Sequence, residues 1–319
     1  MKNIGKRMKN INIKAKNKMA DILFGCAVGD ALGVPYEFMG RETFHCTDMS
    51  EYGTHNQSKG TWSDDTSMTL CLADCIAKGF SVEKLAENFL RWYEKSEFTA
   101  NGELFDIGNA TSTALARIKS GIKCTLAGGA DEWSNGNGSL MRIAPLALYT
   151  IYMPIEKRFD VCKSVSSVTH RHQISILACF LYLEFLRNLM LGNSLESSLE
   201  KIVETKKIAI KLGVDSSVVQ KFYLFDEEIR KLSESKISSS GYVVDTFIAS
   251  IWCVLNTNSY KEAVLKAVNL GDDTDTTGAV TGVIAGILYG CNNIPEKWIS
   301  SLKNKELIDS IVEEFDFMN

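Results

Sequence analysis

Apolar residues recur along this chain mostly at helical spacing, and strand-like alternation is scarce. Val82, Leu85, Ala86, Phe89, Leu90 and Tyr93 fall on one face of a helix. Leu195, Leu199, Ile202 and Val203 share a second face, and Tyr260, Val264, Ala267 and Val268 a third. Residues 174–191 are apolar nearly all round, which predicts a central buried helix. Within residues 276–290, Ala279, Val280, Val283, Ile284, Ile287 and Leu288 form an apolar face, while Gly278, Gly282, Gly286 and Gly290 recur every four residues. Each interior glycine costs a helix about 1 kcal/mol relative to alanine. The repetition therefore predicts another backbone packed very close to this helix. Only four prolines interrupt the 319 residues, and residues 233–240 read as one polar loop. The pattern predicts one all-α domain from about residue 20 to the end.

Composition sharpens this picture. With 45% apolar and 23% charged residues, the chain has the material for an ordinary packed core. No unbroken run of about 18 apolar residues marks a membrane span, so no membrane partner is expected. The net charge of −4 conceals an asymmetry: residues 1–19 hold seven Lys or Arg and no acid, which leaves a body at −11. An acidic body argues against a nucleic-acid surface, and the basic segment reads as a solvated, frayed leader over residues 1–19. Nine cysteines, none in a C-x-x-C pair, read as reduced, buried thiols of a cytoplasmic protein. A monomer is expected.

Chemistry concentrates in two acidic clusters. Ser63, Asp64, Asp65 and Thr66 open one helix, and Asp272, Asp273, Asp275, Thr276 and Thr277 open the glycine-striped one. Capping accounts for some of these residues, because Ser, Thr and Asp satisfy the unpaired N–H groups of a first turn. Together the clusters hold more acids and hydroxyls than capping needs. Carboxylates and hydroxyls without nearby His or Cys form a hard oxygen donor set, suited to Mg²⁺ or Mn²⁺ rather than zinc. Asp273-Thr274-Asp275-Thr276-Thr277 also satisfies D-x-D-x-T, the pattern of aspartyl-nucleophile phosphatases. Those place it after a buried strand near the start of an α/β domain, and here it follows a helix near the C-terminus. The glycine-rich stretch Gly136, Asn137, Gly138 and Ser139 precedes a predicted helix, and backbone N–H groups so placed can bind a phosphate. Asn-Gly pairs also mark ordinary turns.

GCAVGDALGVPYEF, GTWSDDTSM, FDIGNAT, GNGSLMRIAPLAL, VTHRH, GYVVDT and NLGDDTDTTGAVTGVIAGILYG occur in the order found in ADP-ribosylglycohydrolases. The chain resembles that family from about residue 21 to 290, with the greatest likeness to the dinitrogenase-reductase-activating branch. The resemblance implies a compact orthogonal all-α domain over residues 20–319 with two Mg²⁺ or Mn²⁺ at its centre. It implies hydrolysis of the bond joining ADP-ribose to a modified protein side chain or other conjugate.

Carried over by position, Ser63, Asp64 and Asp65 would be metal ligands from one side, and Asp273, Asp275 and Thr276 from the other. Glu37 would stand beside the metals, touching a metal or its water, and Asp64 would also serve the chemistry. Asp106 of FDIGNAT would lie near the ribose, although by itself it reads equally as the cap of a helix starting near Gly108. Gly136–Ser139 would cradle the pyrophosphate, His170 would lie near the adenosine and Tyr242 would line the ribose. Ser63 stands where the family usually has Thr. Asp272 stands where it usually has Gly; that extra carboxylate could bind metal or cap the helix, and the cap is the favoured reading. ADP-ribosyl-arginine is the expected substrate. Serine-linked or small-molecule conjugates, or a non-catalytic ADP-ribose binder, are the alternatives; a complete ligand set favours the enzyme.

Overall fold

In the computed structural model, which describes residues 2–226 and 229–315, the chain is built from helices. They are α1 (Lys2–Gly33), α2 (Asp64–Ala77), α3 (Val82–Lys95), α4 (Asn109–Lys119), α5 (Cys124–Ala127), α6 (Pro145–Tyr149), α7 (Ile155–Ser166) and α8 (Gln173–Met190). After these come α9 (Leu195–Lys211), α10 (Ser216–Gln220), α11 (Val243–Leu255), α12 (Tyr260–Val268), α13 (Thr274–Tyr289), α14 (Glu296–Ile299) and α15 (Lys305–Glu314). Among the described residues, β-pairing is confined to three isolated bridges. One hydrophobic core runs from Ala15 to Phe315, and α8 is buried over nearly its whole length, as its all-round apolarity predicts.

α1 and α13 form the central pair, and their contact is backbone on backbone. A methyl group added at Gly282 would lie 2.1 Å from the Gly25 carbonyl oxygen, and one at Gly278 would lie 2.5 Å from that of Gly29. At Gly286 it would meet the Asp21 carbonyl oxygen at 2.2 Å. The reciprocal additions at Gly25 and Gly29 would strike Gly282 and Gly278. The glycine stripe thus packs against a second glycine stripe on α1. Gly290, the fourth of the series, lies outside this contact: its φ of +85° ends α13.

The segment expected to be a frayed leader is placed differently. α1 runs unbroken from Lys2, and the boundary expected near residue 19 falls inside it. Ala15, Met19, Ile22, Leu23 and Cys26 recur at helical spacing and are buried, so the core face of α1 begins before residue 20. Lys16 and Lys18 point outward to Glu313 and Asp21, at 3.0 and 3.1 Å. Two helical stretches, residues 14–36 and 173–190, are long and apolar enough to cross a membrane although neither is an unbroken apolar run; both lie mostly inside the protein, as core helices do. All nine cysteines are free thiols, and all but the half-buried Cys291 are buried.

Alanine normally strengthens a helix where it replaces glycine. In this interface the sign should invert: Gly282→Ala is expected to lower stability by about 2 kcal/mol or more, because the added carbon meets backbone that cannot swing away. Equilibrium denaturant unfolding checks this, and an unchanged or higher midpoint would refute the backbone contact.

Candidate active site

The first wall of the site comes from α1 and the turn that follows it. α1 stops at Gly33, where a side chain would collide with the Asp275 backbone at 2.3 Å. A short turn over Val34–Tyr36 then delivers Glu37, which is 5% exposed. The loop beyond folds back over it. The Thr54 hydroxyl donates to the Glu37 carbonyl at 2.7 Å, and His55 Nε2 hydrogen-bonds Glu37 Oε2.

α2 supplies the second wall, and α1 fixes its start. Asp30, fully buried, accepts hydrogen bonds from Ser63 N–H at 2.9 Å, Thr66 N–H at 3.0 Å and the Thr66 hydroxyl at 2.6 Å. This carboxylate satisfies the first turn of α2 from a different helix, assisted by the Ser63 side chain, which accepts from Asp65 N–H at 3.2 Å. The first turn of α2 is thus satisfied without the Asp64 and Asp65 carboxylates, and Asp65 Oδ1 is left buried with no hydrogen-bond partner.

The third wall is the start of α13. Thr274 donates its hydroxyl to the Gly33 carbonyl at 2.8 Å, and Asn137 donates to Asp273 Oδ2 at 2.8 Å. The hydroxyls of Ser63 and Thr276 both donate to Asp65 Oδ2 at 3.3 Å, which joins α2 to α13. Carboxylate oxygens of Glu37, Asp273 and Asp275 lie within 4.8 Å of one another, and so do donor atoms of Glu37, His55 and Asp106.

This cluster is electrostatically costly as it stands. Burial, reinforced by neighbouring acids, pushes the Asp64, Asp65 and Asp275 carboxyls well above the usual carboxylate range. Asp273 is raised mainly by burial, against hydrogen bonds from Asn137 and Thr276. Burial also carries Glu37 and Asp30 to about 7. Among the described residues, no Lys or Arg forms an ion pair with Asp64, Asp65, Asp273 or Asp275. Asp65 Oδ1, Asp273 Oδ1 and Asp275 Oδ2 are buried without any hydrogen-bond partner. Orphaned carboxylate oxygens converging from two helix starts, with hydroxyls beside them and no cationic side chain, fit a hard divalent cation.

The other expected residues divide. Gly136–Ser139 forms a tight turn whose underside is filled by the His170 ring: a side chain at Gly138 would meet His170 Cε1 at 2.8 Å. His170 is buried, bonded through Nδ1 to the Thr169 hydroxyl at 2.8 Å, and held neutral with its pKa lowered to about 3 by burial. It supports the turn from behind. Ser139 also points inward, accepting from Ser166 at 3.0 Å, so its hydroxyl belongs to the core. Tyr242 is the half-buried N-cap of α11, its backbone bridged to Gly136. It lines a cavity of about 350 Å³ with Trp133, Asn135 and His172. A larger cavity of about 550 Å³, bounded by Arg41, Phe44 and Lys261, contains none of the acidic cluster.

Two cap assignments change. Gly108 is the N-cap of α4, so Asp106 does not hold that position and instead stands beside Glu37 and His55. Asp272 is exposed and does not cap α13. Its φ of +59° is left-handed, which accounts for the glycine usual there. Sequence reasoning assigned no role to His55, Asp30 or Arg142. The last is a fully buried guanidinium that donates to the Gly138 carbonyl and holds the turn in place.

The ADP-ribosylglycohydrolase family model matches residues 12–318. The chain belongs to the ADP-ribosylglycohydrolase family. It is 35% identical over 305 residues to the ADP-ribosylarginine hydrolase Tri1 of Serratia proteamaculans, covering 95% of this chain and 80% of that protein. It is 30% identical to the ADP-ribosyl-[dinitrogen reductase] glycohydrolase of Rhodospirillum rubrum, over 88% of each chain. A solved structure described as an ADP-ribosylglycohydrolase-related protein complex superposes with a TM-score of 0.79 at 29% identity, covering 94% of this chain and 97% of that one. This glycohydrolase is therefore an enzyme of glycosidic bonds to ADP-ribose, on an all-α fold.

The raised carboxyls set a pH signature. In the glycohydrolase without cations, each has a folded pKa above its unfolded value near 4, so the unfolded chain sheds those protons first. Stability from these groups is therefore present below about pH 4 and lost as pH rises toward 7. A cation that occupies the cluster removes that penalty. The rise in melting temperature on adding Mg²⁺ or Mn²⁺ to chelator-treated protein should be small at pH 5 and larger at pH 7.5. Saturation at about 100 times the dissociation constant corresponds to about 2.7 kcal/mol. Equal shifts at both pH values, or none, would contradict the electrostatic account.

Proposed function

We propose that this enzyme removes ADP-ribose from arginine side chains, using two Mg²⁺ or Mn²⁺ held between α2 and α13. Ser63, Asp64 and Asp65 would hold the ions from one side, and Asp273, Asp275 and Thr276 from the other. Ions so bound supply positive charge that polarises the ribose hydroxyls and makes water more acidic. The remaining work falls to the protein's own groups. Glu37, oriented by His55, is placed to take a proton from the attacking water. Asp106, within 4.8 Å of that pair, would orient the guanidinium as a carboxylate and hand the proton released from the water to the guanidine nitrogen as it departs. The water oxygen bonds to the anomeric carbon, the bond from that carbon to the guanidine nitrogen breaks, and the departing nitrogen gains the proton. The Gly136–Ser139 turn would receive the pyrophosphate.

The observation that carries this reading is the position of Asp106. It is released from capping α4 and set beside Glu37, where a leaving guanidinium would need a carboxylate. The identity to ADP-ribosylarginine hydrolases supports the same linkage. Serine-linked ADP-ribose is the competing substrate, because an alcohol leaving group also needs a proton.

Asp106→Asn is expected to lower kcat on an ADP-ribosyl-arginine peptide by about 100-fold or more, as loss of an acid–base group does. The cation-dependent rise in melting temperature should persist. Parallel assays on arginine- and serine-linked peptides decide the linkage: wild-type release from serine but not from arginine would overturn it.

A further inference from the structure

Beside Glu37 the chain does something that folding alone does not favour. Phe38 has a φ of +63°, a left-handed conformation strained for a bulky side chain, and its ring is 70% exposed. Glycine would suit that backbone, and a polar residue would suit that exposure. The conformation is nevertheless firmly held. Phe38 N–H donates to the Asp272 carbonyl at 2.7 Å, and Asp272 N–H donates to the Met39 carbonyl at 2.8 Å. The Phe38 ring stands 6.0 Å from that of His55, and Phe105 approaches His55 from 5.4 Å, with both pairs tilted. Phe105 is followed directly by Asp106, itself at a φ of +52°. Three aromatic rings thus lie together at the Glu37–Asp106 edge of the site, one of them, Phe38, on strained backbone.

We propose that Phe38, His55 and Phe105 form a collar that receives the planar, cationic guanidinium of the leaving arginine, with the Asp106 carboxylate at its edge. The assignment rests on the arginine reading above and identifies what recognises the leaving group. A guanidinium stacks on an aromatic face while its N–H fork pairs with a carboxylate. A serine hydroxyl offers neither plane nor charge, so the collar selects between linkages. Rigid aromatics already in place also lose little freedom on binding.

The test compares wild type, Phe38→Gly and Phe38→Tyr on an ADP-ribosyl-arginine peptide, with ADP-ribose binding and thermal unfolding measured alongside. Phe38→Gly should raise KM about tenfold with kcat little changed, the pattern of lost leaving-group binding. Its melting temperature should not fall, because glycine accepts the positive φ, and its affinity for ADP-ribose should match wild type. Phe38→Tyr, which keeps the aromatic face, should recover most of the loss. An unchanged KM in Phe38→Gly, or equal losses in both variants, overturns the collar while the arginine reading stands. Wild-type enzyme inactive on the arginine peptide overturns both.

Discussion

The approach of α1 to α13, backbone against backbone, sets everything else in the site. Gly25 and Gly29 on one helix and Gly278, Gly282 and Gly286 on the other remove every side chain that would hold the axes apart. At that distance the end of α1 and the start of α13 become neighbours, and Gly33 lies directly against Asp275. Asp30, one turn earlier on α1, reaches across to the first turn of α2. One packing choice therefore brings two helix starts and Glu37 to a single point. The positive ends of the α2 and α13 dipoles favour acids there, but a half-charge at each helix end does not balance so many carboxylates.

That imbalance separates a site from a scaffold. A protein that needed these residues only for folding would pair its buried carboxylates or replace them, since an unpaired buried charge is strongly unfavourable. Here the ion pairs lie elsewhere. Arg158, for example, meets Glu184 through two hydrogen bonds of 2.5 Å between α7 and α8. Backbone strain is present at the site as well. Phe38, Asp106 and Asp272 all take left-handed φ values around one rim, where Phe38 N–H donates to the Asp272 carbonyl and Asp272 N–H to that of Met39. Left-handed φ values also occur away from the site, at Ser96, Phe98 and Asn304 for example, so it is the hydrogen-bonded anchoring of this rim that sets it apart.

The sequence revealed much of this because several signals were local. A glycine every fourth residue has one economical explanation in a helix, and the close backbone it implies is present on α1. Acids in excess of capping needs marked both helix starts. What escaped was non-local. His55 sits in a loop without periodicity, and only folding brings it to Glu37, 18 positions earlier. Asp30 was visible as one polar residue among glycines, but nothing in its neighbourhood says that it serves α2. Ser139 looked like a ligand-facing hydroxyl, yet Ser166 and Cys179 engage it in the core. The lysines before residue 20 also mask an apolar face shared with the rest of α1, a face that Ala15 and Met19 already join.

The same physics bears on whether such a chain could hold ADP-ribose without cleaving it. A binder gains from surfaces that match ribose, pyrophosphate and adenine, and the Gly136–Ser139 turn over His170 and Arg142 would serve it. Without cations it gains nothing from Asp64, Asp65, Asp273 and Asp275, whose mutual repulsion opposes both folding and the approach of an anionic diphosphate. Only cations reverse that sign, turning the cluster from a barrier to the substrate into an attraction for it. A lineage that had given up turnover would be stabilised by losing any one of these carboxylates. All of them remain, together with the Glu37–His55 pair that no binding surface requires. Charge that appears during bond cleavage, and is absent from the bound ligand, gives such a site work that binding alone does not.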